Sequence, residues 1–209
     1  SDLSSIRCCV SGGEPLPAGI FRQFKERFSI EILVGIGSTE SAIWYVATRP
    51  GRVRPGSTGE AIPGAEAKIV DDEGRELPTG EVGELLLKAD SSSPYYWNKR
   101  ALTKKTMVGE WLHTGDQFHR DEDGYYWFMG RVDDVIKAGG IKVIPSEVEA
   151  SLIEHPAVIE AAVVGAPDEQ RLLKPKAFVV LNKEYEPSPE LVDELQQFVK
   201  AKTASYNYP

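Results

Sequence analysis

The hydrophobic pattern changes character twice along the 209 residues of this chain. At the start, apolar runs at residues 6–10 and 30–34 predict two short buried strands. Between them, residues 20–28 carry isoleucine and phenylalanine at helical spacing, which predicts an amphipathic helix. A strand–helix–strand succession is typical of a parallel sheet, so the chain opens with an α/β pattern.

In the middle of the chain, short apolar runs are separated by turn sequences rich in Pro, Gly and Asp instead of by a helix. Runs at residues 67–70 and 83–87 predict strands. Residues 111–113 and 124–129 predict two more. Short strands joined by such turns indicate antiparallel β structure, here a small barrel or sandwich.

The last third of the chain mixes helix and strand signals. Ser146 and Glu149 have the spacing of a capping box, which predicts the start of a helix. Residues 158–164 and 177–181 predict strands, and Ser188 before a proline predicts the N-cap of a final helix. This part is expected to form a compact α+β unit.

Charge and cysteine content narrow the class of partner. The formal net charge is −8, which argues against a nucleic-acid groove or an anionic membrane surface as the main partner. Cys8 and Cys9 are adjacent, which suits packing better than pairing. No apolar run approaches the roughly 20 residues that a membrane span needs. We expect no nucleic-acid partner, no membrane span and a reducing, cytoplasmic setting.

Two Gly-containing segments follow the first two predicted strands. Gly13-Glu14-Pro15 lies where loops of parallel sheets bind ligands, although a plain strand-to-helix turn has the same composition. The second segment, at residues 35–40, ends in a hydroxyl and a carboxylate. That combination suits a nucleotide phosphate and its magnesium ion, and the alternative is a turn with a helix cap.

Two further segments carry charged residues at positions that suit chemistry. Asp116 follows a Thr-Gly turn at the end of a predicted strand, where a carboxylate can accept two hydrogen bonds from a ribose diol; a surface β-turn is the alternative. Residues 130–142 form a charged cluster between two architectures. A hinge between domains would lie at such a boundary, and a solvated linker is the alternative.

In this order, the four segments resemble those of the adenylate-forming superfamily, which comprises acyl-CoA ligases, luciferases and peptide-synthetase adenylation domains. The resembling stretches are GIGSTE, EWLHTGD, DGYYWFMGRVDDVIKAGGIKVIPSEVEA and HPAVIEAAVVGAPDEQRLLKPKAFVVL. They are most similar to benzoate-CoA and related aryl-CoA ligases. The implied fold is α/β and α+β: the C-terminal part of a large domain, with a sheet remnant and a small β-barrel, precedes a small α+β domain.

The resemblance implies a domain division and a set of roles. Residues 1–130 would belong to the large ATP- and acyl-binding domain, 131–135 to a hinge, and 136–209 to the small mobile domain. Thr39 would touch the α-phosphate, and Glu40 would hold Mg²⁺. The other implied positions are Gly13, Glu14, Pro15 and Ile36 for adenine, Gly35 for cofactor binding, Asp116 for ribose with Arg131 nearby, Asp133 for the hinge, Gly139, Gly140 and Lys142 for coenzyme A, and Gly37, Ile43 and Trp44 for the acid.

The implied reaction joins a small carboxylic acid to coenzyme A through an acyl-adenylate, with ATP consumed and AMP released. The family's phosphate loop is expected before this chain, and its catalytic lysine is expected after residues 205–209. We therefore expect the chain alone to be inactive. Two other functions stay open: adenylation followed by transfer to a carrier protein, and a non-catalytic nucleotide- or partner-binding module.

Overall fold

The computed structural model describes residues 3–42, 44–138, 141–167 and 173–203. The chain divides into two compact units, Ser1–Phe128 and Met129–Pro209. Ile43, Gly139, Gly140 and the segment at residues 205–209 lie outside the described residues. A hinge at residues 131–135 concerns motion, so it stays a prediction.

The first unit opens with a four-stranded sheet and one helix. These elements are β1 (Cys9–Gly12), α1 (Ala18–Phe28), β2 (Ile32–Gly37), β3 (Trp44–Ala47) and β4 (Glu60–Ala61). The strand order is β1-β2-β3-β4, with β1 parallel to β2 and the other pairs antiparallel. Helix α1 buries Phe21 and connects the two parallel strands, so the strand–helix–strand prediction is confirmed.

The second sheet has five strands and belongs to the first unit, except that its last strand continues past Phe128 into the second unit. Its elements, with one short helix, are β5 (Ala65–Val70), β6 (Gly83–Ala89), α2 (Arg100–Thr106), β7 (Met107–Val108), β8 (Trp111–Arg120) and β9 (Tyr126–Arg131). The order is β5-β6-β8-β7, and β9 also pairs with β8. The four predicted strands all form. Strand β8, however, continues to Arg120, whereas the sequence predicted its end at 113.

The core of the first unit lies under this second sheet. Leu85 and Leu87 on β6 and Phe118 on β8 are fully buried. The Phe118 ring meets the rings of Tyr126 and Phe128 edge-on, with centroids 6.4 and 5.4 Å apart. Such edge-to-face contacts give a rigid aromatic cluster. It supports β8 two residues beyond the candidate carboxylate Asp116.

The described residues of the second unit form two β-pairs and two helices. They are β10 (Ile136–Ala138), β11 (Ile141–Val143), α3 (Pro145–Ile153), β12 (Val158–Pro167), β13 (Leu173–Leu181) and α4 (Pro189–Lys202). Both strand pairs are antiparallel. Its core combines side chains from both helices and from three strands, among them Val143, Val148, Leu152, Val163, Leu195 and Val199. The mixed architecture of both units confirms the predicted fold class.

The two predicted helix starts in this unit have different outcomes. Ser188 is the N-cap of α4, and its hydroxyl accepts a hydrogen bond from the Leu191 amide, as predicted. The capping box at Ser146 is wrong, because α3 begins at Pro145 after Ile144 and has no side-chain cap. Ser146 instead donates to the Met129 carbonyl, and Glu149 accepts from the Val163 amide. Ser146 and Glu149 thus bond to residues distant in sequence instead of capping the helix that contains them.

Candidate active site

The carboxyl ends of β1 and β2 bring the first two candidate segments together. Gly12 pairs with Gly35 in the parallel register, so the loop of Gly13, Glu14 and Pro15 leaves β1 beside the end of β2. All three loop residues are exposed. Gly13 has a φ of 88°, which glycine adopts without strain. Adjacent loops at this edge of a parallel sheet form a common place for a ligand.

The indole of Trp44 covers the strands at this edge. A Cβ atom built on Gly35 would lie 2.1 Å from the indole, and one on Gly12 would lie 3.1 Å from it. Any side chain at Gly35 would therefore collide with Trp44. Trp44 itself is half-buried and pairs with Gly37 across an irregularity in the β2–β3 register. The glycines thus make room for a flat apolar surface at the end of the sheet.

The loop from β2 to β3 holds Thr39 and Glu40 in a tight turn. The Ser41 amide donates to the Ser38 carbonyl at 3.2 Å, and the buried Ser41 hydroxyl donates to the same oxygen at 3.1 Å. Thr39 is exposed, whereas Glu40 is half-buried. These bonds between serines fix the backbone of the turn in which the exposed Thr39 lies.

Glu40 is tied to a segment far along the chain. The Tyr96 hydroxyl donates to Glu40 Oε1 at 2.6 Å, and the Ser93 amide donates to the Glu40 carbonyl at 2.6 Å. Burial raises the pKa of Tyr96, and the hydrogen bond to Glu40 raises it further, so the phenol keeps the proton that it donates. Sequence spacing gave no signal for this contact, because 56 residues separate the partners.

Asp116 lies in a bulge inside β8, and the prediction of a turn at a strand end is wrong. Leu86 pairs with His113 and Glu84 pairs with Gln117, so β8 holds two more residues than β6 between these pairs. Gly115 adopts a φ of 70° in the bulge. A bulge re-aims side chains within a strand, and this one places the Asp116 carboxylate in a buried position with 7% exposure.

Hydrogen bonds to three residues on other strands, Tyr45, Leu85 and Glu84, hold the bulge in place. Tyr45, which follows Trp44 on β3, donates its hydroxyl to Asp116 Oδ2 at 3.2 Å. Thr114 Oγ1 donates to the Leu85 carbonyl at 2.7 Å and accepts from the Asp116 amide at 3.1 Å. Glu84 accepts from the Gly115 amide at 3.1 Å. Successive residues of a strand face opposite ways. On β3, Trp44 therefore contacts the glycines of β1 and β2, while Tyr45 contacts Asp116.

Three candidate residues of the second unit are described, namely Arg131, Asp133 and Lys142, and all three are exposed. Arg131 ends β9, and Asp133 follows it in a 3₁₀ turn at Val132–Asp134. Lys142 lies on β11 and pairs with Lys137 on β10. Gly130, just before Arg131, has a φ of 131°. The charged cluster at residues 130–142 therefore contains the end of a strand, a short turn and two paired strands.

The described parts of the chain contain neither a cluster of metal ligands nor a membrane-spanning helix. Within residues 3–42, 44–138, 141–167 and 173–203, no three His, Cys, Asp or Glu side chains are grouped to hold a metal ion. None of the helices found in those ranges has the length and apolar character that a membrane crossing requires.

Known proteins resemble this chain along its whole length. Residues 1–97 match the family model for AMP-binding enzymes, and residues 147–209 match the C-terminal domain of AMP-binding enzymes. A benzoate–CoA ligase of Thauera aromatica is 44% identical over 98% of this chain and 39% of its own length. A 4-hydroxybenzoate–CoA/benzoate–CoA ligase of Rhodopseudomonas palustris is 43% identical, with 98% and 38% covered.

Solved structures give the same result. The crystal structure of an anthranilate CoA ligase in complex with anthranoyl-AMP superimposes with a TM-score of 0.91 at 48% identity, covering 100% of this chain and 40% of that one. A benzoate CoA ligase from Burkholderia xenovorans has a TM-score of 0.91 at 45% identity, with 98% and 41% covered. The chain thus spans about two fifths of the length of these relatives. It belongs to the family of AMP-binding, adenylate-forming enzymes.

Proposed function

We propose that the complete protein is an ATP-dependent, AMP-forming ligase that joins coenzyme A to an aromatic or compact apolar carboxylic acid. One observation carries the proposal: a CoA ligase with an aryl-adenylate in its structure matches this chain from end to end at 48% identity. The two candidate carboxylates support it, because each is oriented by a tyrosine hydroxyl.

In the first step, an oxygen of the acid attacks the α-phosphate of ATP, and pyrophosphate leaves. We assign the adenine to the exposed loop of Gly13, Glu14 and Pro15, with Ile36 against the base. The buried carboxylate of Asp116 would accept hydrogen bonds from the ribose hydroxyls. Because its surroundings exclude most water, such bonds would hold the nucleotide more strongly than the same bonds on an open surface.

Thr39 and Glu40 are assigned to the phosphates. The exposed Thr39 hydroxyl would donate to an α-phosphate oxygen. Magnesium is commonly bound by one or two carboxylates together with substrate phosphates, so a single half-buried Glu40 fits Mg²⁺ delivered with ATP. The ion would supply charge neutralisation at the phosphates. Glu40, oriented by Tyr96, would help to position the α-phosphate of the bound nucleotide for attack by the acid.

The acid would lie near the surface that Trp44 forms at the end of the sheet. The indole covers Gly12 and Gly35, and Gly37 adds no side chain beside it. A flat aromatic wall suits a planar ring, and its bulk would shorten the site against a long aliphatic chain. Ile43, which lies outside the described residues, is assigned to the same wall.

In the second step, the thiol of coenzyme A attacks the acyl carbonyl and AMP leaves. We assign Arg131 to the nucleotide, and Gly139, Gly140 and Lys142 to the pantetheine arm. Asp133 is assigned to the hinge that exchanges the two faces of the small domain, so that one cleft serves both steps. This assignment is supported by its position in a short exposed turn close to the boundary between the two units.

The test uses the complete protein with benzoate, ATP, magnesium and coenzyme A. We expect benzoyl-CoA and AMP in equal amounts, identified by mass spectrometry, and no AMP when the acid is left out. A panel of aromatic and short aliphatic acids then ranks kcat/KM. Absence of acid-dependent AMP release across the panel would overturn the proposal. Adenylate formation without transfer to coenzyme A, but with transfer to a carrier-protein thiol, would redirect it to another acceptor.

A further inference from the structure

Glu40 has two contacts with one distant segment, and each fixes a different part of the residue. The Ser93 amide holds the Glu40 carbonyl, and the Tyr96 hydroxyl holds the carboxylate, each at 2.6 Å. The first contact fixes the backbone of the loop between β2 and β3. The second fixes the side-chain torsions, because a carboxylate that accepts a short, charge-assisted hydrogen bond loses rotational freedom.

Tyr96 lies shortly before α2, and backbone hydrogen bonds hold it there. Its amide donates to Thr103 Oγ1 at 3.0 Å, and its carbonyl accepts from the Lys99 amide at 3.3 Å. Thr103 Oγ1 in turn donates to the Lys99 carbonyl at 3.1 Å. The neighbours of Tyr96 differ from it, since Tyr95 is 57% and Trp97 is 78% exposed. Of these three aromatic side chains, Tyr96 is the one that points inward, and its hydroxyl contacts the Glu40 carboxylate.

We infer that Tyr96 is a positioning residue of the adenylation site, whose hydroxyl orients the Glu40 carboxylate toward magnesium-bound ATP. The inference rests on the proposed function, which assigns Glu40 to magnesium. Tyr96 acts through Glu40 and contacts no reacting atom. Partners that orient a metal-binding carboxylate govern its affinity for the ion, and their removal commonly costs about 10- to 100-fold in metal affinity.

The experiment compares Tyr96→Phe with Tyr95→Phe in the complete enzyme. Both substitutions remove one hydroxyl and keep the ring, but only the first removes the donor to Glu40. Binding of a non-hydrolysable ATP analogue is measured by calorimetry over a range of magnesium concentrations. For Tyr96→Phe we expect the magnesium concentration at half-maximal binding to rise about tenfold. For Tyr95→Phe, and for both variants without magnesium, we expect changes below about twofold.

A second comparison tests whether Tyr96 acts through Glu40. In a Glu40→Gln background, Tyr96→Phe should cause no further change in magnesium dependence, because the coupled partner is already altered. Additive effects would overturn the inference. So would equal losses of analogue binding with and without magnesium, which would identify Tyr96 as a packing residue only. If the unmodified enzyme binds the analogue without any dependence on magnesium, the proposed function fails as well.

Discussion

The candidate residues of the first unit and those of the second are built into the fold in different ways. Asp116 is 7% exposed and sits in a strand bulge fixed by hydrogen bonds, while Glu40 is clamped by a distant tyrosine. Arg131, Asp133 and Lys142 are exposed and lie on a strand end, a short turn and a hairpin. In the proposed function, the first unit would therefore preorganise the nucleotide, whereas the second would present groups that can be repositioned between steps.

The largest effect is expected from removing the buried carboxylate. Asp116→Ala in the complete enzyme should weaken ATP binding by about 10- to 100-fold, because a buried hydrogen bond to a charged acceptor contributes roughly 1.5–3 kcal/mol. The dissociation constant of ATP, measured by calorimetry, is the readout. Asp90→Ala is the matched control, since Asp90 is an exposed residue just beyond β6. Unchanged ATP binding in Asp116→Ala would mean that Asp116 serves only the bulge.

A smaller and more selective effect is expected at the proposed hinge. Asp133→Pro should slow thioester formation about tenfold more than adenylation, because proline fixes φ and removes the rotation a hinge uses. Pyrophosphate exchange reports the first half-reaction, and attack of coenzyme A on preformed adenylate reports the second.

Asp133→Ala is the control for this variant, since it removes the same carboxylate but leaves the backbone free to rotate. If the two half-reactions slow equally in Asp133→Pro, Asp133 is structural, and the contrast between a fixed and an adjustable unit is lost. A larger loss in adenylation would mean that proline locks the opposite state.

The bulge can also be weakened without touching the carboxylate. Thr114→Val keeps the shape of the side chain but removes the hydroxyl that donates to Leu85 and accepts from the Asp116 amide. Losing these two hydrogen bonds should lower the free energy of unfolding by about 1–3 kcal/mol and weaken ATP binding by a factor of about three to ten. Urea titration and calorimetry measure the two effects. Thr79→Val, at an exposed threonine, should change neither.

The sequence predicted elements better than it predicted the contacts that hold the site. Helical spacing predicted α1 correctly. The Ser188 cap was also predicted correctly, because the serine and the Leu191 amide that it accepts from are close in sequence. The bulge at Asp116 was predicted as a turn because Thr-Gly-Asp has the composition of one. The bulge depends on how β8 pairs with β6, which local composition does not indicate. The partners Tyr96 and Tyr45 lie 56 and 71 residues from Glu40 and Asp116, beyond what spacing can indicate.

The smallest effect is expected at the start of the second unit, where Ser146 on α3 donates to the Met129 carbonyl, next to Gly130. Ser146→Ala should lower the free energy of unfolding by about 1 kcal/mol, the usual contribution of one hydrogen bond. Ser151→Ala is the matched control, because Ser151 is on the same helix and its hydroxyl donates within it, to the Glu147 carbonyl. Each variant loses one hydroxyl hydrogen bond, so their difference in urea unfolding compares the bond to Met129 with a bond inside the helix. Since neither serine is among the residues proposed to bind the nucleotide, ATP affinity should stay within about twofold in both variants. A loss of ATP affinity in Ser146→Ala alone would mean that the start of α3 helps to set the nucleotide site, and the second unit would then be more preorganised than its exposed residues indicate.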